Sequence, residues 1–292
     1  MTKPELVFLG TSCGIPTVER NLPSVAMRYN GKVYLFDCGE GTQRQMMRYV
    51  VSFYKVEAIF ISHLHLDHYL GIFGLLDTLR LMERKEPLTV VCPPGMFDGL
   101  EKRYSFLTVK ELKKDGEVAD FGDFKVDAFH NKHNIKESFG FAIRFKDKQR
   151  FYGDKARKLG IKGPMFTKLE EAGKITIGKK TIKLSDVSYT EKGKLFVYSG
   201  DTRPCDGVKK AASGADILIH DSTFSSEEQA EAEEKSHSTA AEAAKLARSA
   251  KVKELVLTHI SQRYKNSKEL EEEAKKEIKN VVCAYDGFRI TP

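Results

Sequence analysis

Short apolar runs recur along the chain, each closing on a polar loop rich in Gly, Asp or His. Leu6–Thr11, Ser24–Tyr29, Lys32–Phe36, Val56–Ile61 and Leu88–Cys92 have the length and the β-branched and aromatic content of strands. Asn30-Gly31 between the second and third of these predicts a hairpin turn. The second half repeats the pattern at Phe124–Phe129, Gly140–Phe145, Leu195–Ser199, Asp216–Ile219 and Glu254–Thr258. Helical stretches alternate with them: one opening after Asp37 and running to Tyr49, an amphipathic one over Leu70–Arg84, and Ser238–Ser249, which is built from strong helix formers. The pattern predicts an α/β protein whose chemistry sits in loops at the C-terminal edge of its strands. No short fixed-period repeat or low-complexity tract interrupts it.

Composition narrows the class. A chain of 292 residues, 41% hydrophobic and 30% charged, can bury a large core. It has no apolar run near the roughly 18 residues that a membrane span needs, and Met1-Thr2-Lys3-Pro4-Glu5 leads straight into a strand with no visible signal peptide. Five cysteines without a CxxC pair predict a reducing compartment, so a cytoplasmic protein without membrane attachment is expected.

The net charge of +7 is concentrated in one place. Residues 150–183 hold ten Lys and Arg against three acids, which leaves the remainder near neutral. Such a cluster attracts a polyanion through counterion release, the footprint of a nucleic-acid partner. Its interior, Gly160 to Phe166, is rich in turn formers and poor in core residues. It reads as a flexible arm over 150–183 standing off one globular domain that spans 1–292. The plain alternative is a solvated basic loop.

The densest chemistry is Ser62-His63-Leu64-His65-Leu66-Asp67-His68, directly after the strand Val56–Ile61. Three imidazoles and a carboxylate within six residues resist burial together unless a cation joins them. Imidazole with carboxylate suits zinc, with manganese or iron as alternatives. His63 and His65 can share one ion while Asp67 and His68 turn toward a second. Asp37, at another strand end, either orients a metal-bound histidine or is simply an acid at a helix start. Further polar strand ends occur at Gly200-Asp201-Thr202, His220-Asp221 and His259.

His-x-His-x-Asp-His resembles the signature of the metallo-β-lactamase superfamily. Phe36-Asp37-Cys38-Gly39-Glu40-Gly41-Thr42-Gln43-Arg44-Gln45, Gly200-Asp201-Thr202, His220-Asp221-Ser222-Thr223-Phe224, His237-Ser238-Thr239-Ala240 and Leu257-Thr258-His259 follow in an order that resembles the ribonuclease Z family from Leu9 to about Tyr264. The resemblance implies a four-layered αββα sandwich with a protruding basic flexible arm that grips tRNA. It implies a zinc-dependent endoribonuclease that cleaves the 3′ trailer from precursor tRNA and leaves a 3′-hydroxyl.

Carried over residue by residue, His63, His65 and His133 hold one of two zinc ions, Asp67, His68 and His259 hold the other, and Asp201 bridges them. Asp67 then accepts the proton of the attacking water, and His237 protonates the leaving 3′-oxygen. His130 is the alternative to His133, and His220 reads as structural. RNA contacts fall on Arg20 and Asn21, and on Arg157, Lys158, Lys162, Gly163, Pro164 and Lys168 of the arm. The family's Pro-x-Lys-x-Arg-Asn loop appears here as Pro16-Thr17-Val18-Glu19-Arg20-Asn21, with valine in place of lysine. A homodimer is the implied assembly. A small-molecule hydrolase of the thioesterase or sulfatase kind is the competing function. It would need the same ligands but no basic arm.

Overall fold

In the computed structural model, which describes residues 3–97 and 99–291, each strand read from the sequence forms within two residues of its expected ends. The strands build two seven-stranded sheets. In spatial order the first comprises Arg289–Ile290, Glu5–Gly10, Ser24–Tyr29, Lys32–Phe36, Val56–Phe60, Leu88–Cys92 and Leu107–Glu111. The second comprises Val281–Cys283, Glu254–Thr258, Ile217–Asp221, Leu195–Tyr198, Phe139–Phe145, Phe124–His130 and Gly116–Asp120. Both mix parallel and antiparallel pairs. Strand alternation sends aromatics from each sheet into the space between them. Phe60 lies 5.4 Å from Phe141, and Phe36 lies 6.1 Å from both Phe141 and Tyr198. Each fully buried Phe contributes roughly 1.5–3 kcal/mol.

The opposite faces carry helices. Met46 of Thr42–Arg48 and Ile72, Leu75 and Leu79 of Gly71–Leu81 pack on Val7, Leu35 and Ile59. Ala243 and Ala247 of Ala240–Ser249 and Leu270 of Lys268–Lys275 pack on Val197, Leu218 and Leu255. These layers form the αββα sandwich.

The strands of these two sheets missing from the sequence reading, Leu107–Glu111, Gly116–Asp120, Val281–Cys283 and Arg289–Ile290, are their four edges. Edge strands are short and half solvated, so their apolar signal is weak.

Phe145–Lys194 is a separate compact unit. It contains helices Gly153–Lys158 and Met165–Ala172 and two antiparallel ribbons, Lys148–Phe151 with Ser188–Glu191 and Lys174–Ile177 with Lys180–Lys183. Residues 160–166 bury only Ile161, in line with the few core residues expected there, but the unit around them has a core of its own. Ala156, Ile161, Leu169, Ile182 and Val187 are buried together, with Phe151, Phe166 and Ile175 packed on them. These apolar positions are scattered in sequence and show no single period, yet the turns gather them. The unit holds fourteen Lys and Arg against six acids.

Candidate metal centre

The loops that leave Val56–Phe60, Phe124–His130, Leu195–Tyr198, Ile217–Asp221 and Glu254–Thr258 converge. The Phe139 N–H donates to the Ser62 carbonyl at 3.0 Å, tying a second-sheet strand to the loop that carries the histidines. Gly200 turns the chain at φ 62°, and a Cβ there would come within 2.9 Å of the Ser62 Cβ. Glycine therefore lets Asp201 approach the histidine run.

At the centre stands Asp201. Its Oδ2 lies 3.2 Å from His68 Nε2, 3.3 Å from His259 Nε2, 3.6 Å from His63 Nε2 and 4.0 Å from His133 Nε2. On one side, His65 Nδ1 is 2.9 Å from His63 Nε2 and 3.3 Å from His133 Nε2. On the other, Asp67 Oδ2 is 3.6 Å from both His68 and His259 Nε2, which are 3.3 Å apart. Ligands about 2.1 Å from one tetrahedral ion stand about 3.4 Å from each other, so both clusters have the spacing of metal-ligand shells. Asp201 Oδ1 is buried without a partner among the described residues, as a bridging carboxylate would be.

An outer ring of hydrogen bonds fixes the imidazole tautomers. Ser62 Oγ donates to Asp37 Oδ2, so it can accept from His63 Nδ1–H at 2.9 Å. His68 Nδ1–H donates to Asp37 Oδ2 at 2.7 Å, and His133 Nδ1–H to the Ser236 carbonyl at 2.9 Å. Thr223 Oγ1 donates to Asp221 Oδ1 and accepts from His259 Nδ1–H at 2.9 Å. Four Nε2 lone pairs are thereby aimed inward, the arrangement that orients metal-bound histidine. Asp37 accepts in addition from the Ser62 N–H and from the Tyr198 hydroxyl at 2.6 Å. It orients a cluster histidine rather than starting a helix.

Burial pushes the His63, His65 and His133 imidazoles below their usual range, which keeps them neutral. Burial acts the same way on His68 and His259, but the surrounding carboxylates, Asp201 foremost, hold both well above it. Burial opposes ionisation of Asp67 and Asp201, yet His68 and His259 keep both carboxyls far below the usual range. The neutral imidazoles on one side can give their lone pairs to a divalent cation directly, and on the other side a cation would take the place of the His68 and His259 Nε2 protons between the carboxylates.

His237 lies beside the cluster, its ring 5.1 Å from those of His133 and His259. Its Nδ1–H donates to the buried Asp221 Oδ2 at 2.8 Å, so Nε2 is the nitrogen left free. Arg203 holds the same loop, donating to the His237 carbonyl at 2.7 Å and to Glu242. Glu242 in turn closes a capping box with Thr239 on helix Ala240–Ser249. Cys13 is a half-buried thiol grouped with His237 and His259. His130 stays outside, paired with Asp115 at 2.5 Å, and His220 is buried with Nδ1 on the Asp221 carbonyl. Ser62, Asp221, Thr223, Tyr198, Arg203 and Cys13 are the participants that sequence reasoning left without a role. His220-Asp221-Ser222-Thr223 was the one visible signal for Asp221 and Thr223.

The expected RNA contacts divide. Arg20 is half-buried and donates to Thr11 Oγ1, the Ala284 carbonyl and Ser267 Oγ. Asn21 binds the Glu40 carbonyl through Nδ2 and Asp286 through its backbone N–H. Both are committed to shaping their loop, while Val18 on it is 91% exposed. Arg157, Lys158, Lys162, Gly163, Pro164 and Lys168 are all exposed on the basic unit.

A family model described as a beta-lactamase superfamily domain matches residues 32–154 and 168–260. A ribonuclease Z from Archaeoglobus fulgidus is 45% identical, covering 97% of this chain and 95% of its own length. One from Gemmatimonas aurantiaca is 43% identical over 97% of this chain and 94% of its own. The crystal structure of the short form of human tRNase Z superposes with a TM-score of 0.72 at 28% identity, covering 99% of both chains.

Proposed function

The chain belongs to the ribonuclease Z family of the beta-lactamase superfamily, and from that premise we propose that it is a zinc-dependent endoribonuclease that removes the 3′ trailer from precursor tRNA. His63, His65 and His133 would hold one zinc ion, and Asp67, His68 and His259 the other, with Asp201 shared. Such a pair supplies Lewis acidity at the phosphoryl group and a water acidic enough to react near neutral pH. Asp67, kept ionised by its histidine neighbours and pinned by the Gly14 N–H at 3.0 Å, takes up the proton of the attacking water. His237 presents Nε2–H to the leaving 3′-oxygen, with Asp221 as the acceptor that holds the ring. A 3′-hydroxyl is left on the tRNA.

The observation that carries this reading is Asp201. One carboxylate oxygen stands 3.2–4.0 Å from four imidazole nitrogens, and the other is buried and unpartnered among the described residues. The basic unit supports the choice of a polyanionic substrate. Arg157, Lys158, Lys162 and Lys168 around Gly163-Pro164 would bind tRNA phosphates, and Arg20 and Asn21 would set the loop next to Asp67. The family reading adds a homodimer in which one subunit's arm serves its partner's site, which sedimentation would measure. A cytoplasmic location fits an RNA substrate and five free thiols.

The test is cleavage of an end-labelled precursor tRNA with and without chelator, alongside elemental analysis. Trailer release that stops with chelator, from protein carrying two zinc ions per chain, is expected. Cleavage that survives chelation, or a content of one ion or none after metal-replete expression, sinks the two-zinc assignment.

A further inference from the structure

The stretch Gly39-Glu40-Gly41-Thr42-Gln43-Arg44-Gln45 contributes no residue to either cluster, although few stretches of the chain are so distinctive. It forms one wall of a cleft of about 330 Å³. The loop carrying Thr17 and Asn21 forms the facing wall, and Asp286 lies between them. Asp286 accepts from the Asn21 N–H at 2.7 Å, Thr11 Oγ1 at 2.8 Å and Gln45 Nε2 at 2.7 Å. These three donors hold it at the floor, where Arg20 and Arg48 also favour its charged form.

The wall is different. Arg44 and Arg48 stand one helical turn apart on Thr42–Arg48, exposed at the cleft. Neither guanidinium has a hydrogen bond or ion pair with another described residue, although Arg48 lies 5.6 Å over the Tyr49 ring and within electrostatic reach of Asp286. Arg20 on the facing loop, by contrast, has committed its fork to three partners. Two uncommitted guanidinia on adjacent turns match a phosphodiester. The carboxylate of Glu40, also unpaired at the rim among the described residues, matches an exocyclic amino group of a base.

The cleft adjoins the metal centre through the backbone that holds Asp67. The loop before Thr17 gives the Gly14 N–H to Asp67 Oδ2. The motif packs so closely that a Cβ on Gly39 would come within 2.3 Å of the Asp67 carbonyl.

We propose that this cleft is a nucleotide subsite, in which Arg44 and Arg48 bind a phosphate of the single-stranded 3′ segment of the precursor and Glu40 meets its base. The inference rests on the tRNA-processing reading above. The nucleotide comes either from the trailer or from the tRNA side of the cut, and trailer length separates the two.

The experiment compares wild type, R44Q/R48Q and R44K/R48K on precursor tRNAs with trailers of one to several nucleotides. The readout is the ratio of precursor kcat/KM to hydrolysis of bis(nitrophenyl) phosphate, which has no second nucleotide. The Gln pair should lower that ratio roughly ten- to hundredfold, mainly through KM, and reduce the salt slope by about one to two. The Lys pair should recover part of the loss. A deficit that grows with trailer length assigns a trailer nucleotide, and a constant deficit assigns one on the tRNA side. An unchanged ratio, or Gln and Lys pairs that behave alike, overturns the subsite. Wild type that fails to cut any precursor would instead overturn the functional reading.

Discussion

Asp221→Asn isolates the proton-donor arrangement. Asp221 is fully buried and accepts at both oxygens. Oδ2 takes the Thr202 N–H at 3.1 Å and His237 Nδ1–H at 2.8 Å, while Oδ1 takes the Thr223 N–H at 3.0 Å and its hydroxyl at 2.8 Å. An amide has one acceptor end, so whichever way the substituted side chain turns, its NH₂ faces donors. One buried donor set is lost, at a cost of about 1–3 kcal/mol. If the NH₂ end meets His237, the ring must present a lone pair at Nδ1, which places the proton on Nε2 without a carboxylate to support the charge shift. If it meets Thr223, the anchor of His259 weakens instead.

The catalytic consequence follows from where a proton is needed. A ribose 3′-oxygen is a poor leaving group, and proton donation typically supplies 10²–10⁴-fold. Asp221→Asn should therefore lower kcat on precursor tRNA about a hundredfold or more while KM stays within threefold of wild type, an expectation set by the same principle. His237→Ala should cost a similar factor, and the double variant should be no slower than His237→Ala alone, because Asp221 acts through the ring. Bis(nitrophenyl) phosphate releases a stabilised phenolate that needs no proton, so its hydrolysis should barely change. Single-turnover kinetics on both substrates, with metal content measured in parallel, decide the matter. Equal slowing of both substrates at full metal content, or additive losses in the double variant, would refute the arrangement.

Other outcomes follow from the same geometry. Asp67→Ala should abolish cleavage while precursor tRNA affinity stays nearly intact, and cleavage within tenfold of wild type would remove its assigned role. Asp37→Asn weakens the support of Ser62 and His68, so zinc affinity should fall about 10–100-fold, read by chelator competition. Arg144 pairs with Leu195 in the second sheet, so a short turn from Phe145 to Lys194 can replace the basic unit. That excision should weaken tRNA binding and flatten its salt dependence while the nitrophenyl ester is still hydrolysed. Burial pushes Asp286 up to about 6, so its protonated form favours the fold. That contribution is fully present below about pH 4 and lost as pH rises through about 6. Denaturation midpoints of wild type minus Asp286→Asn should drift against wild type over that window, and a constant difference would contradict the burial argument.

How much of this was legible in the sequence depends on distance along the chain. The run from His63 to His68 announced itself because its donors are adjacent, and the central strands because apolar residues crowd into five- or six-residue blocks. The tautomer-fixing ring, apart from one of the two readings of Asp37, did not. Ser62 is an ordinary serine after a strand, Tyr198 reads as one more strand aromatic, and Asp37 meets Tyr198 only because two sheets face each other. The core of the basic unit was hidden for a related reason. Ile161 lies in a loop, Leu169 in a helix and Ile182 in a strand of a charge-rich segment, so no window contains enough of them to show a period.

The backbone at the metal centre shows what the fold must oppose to hold these side chains. Asp37 and His259 both adopt left-handed conformations, at φ 57° and 61°, in which a non-glycine residue is strained by roughly 1–3 kcal/mol. Both stand where the chain leaves a central strand and must turn a side chain back across the sheet edge. Each is over-determined by its surroundings. The Asp37 N–H binds the Phe60 carbonyl at 2.8 Å and its carboxylate accepts four donors, while the residue after His259 donates to the Thr11 carbonyl at 2.8 Å. Glycine would relieve the backbone at either place, but it has no side chain to offer. Strain is retained at the two positions where a specific side chain, one orienting a ligand and one serving as a ligand, does what glycine cannot. At Gly200, where the same left-handed turn and a close approach are needed but no side chain is, the chain uses glycine.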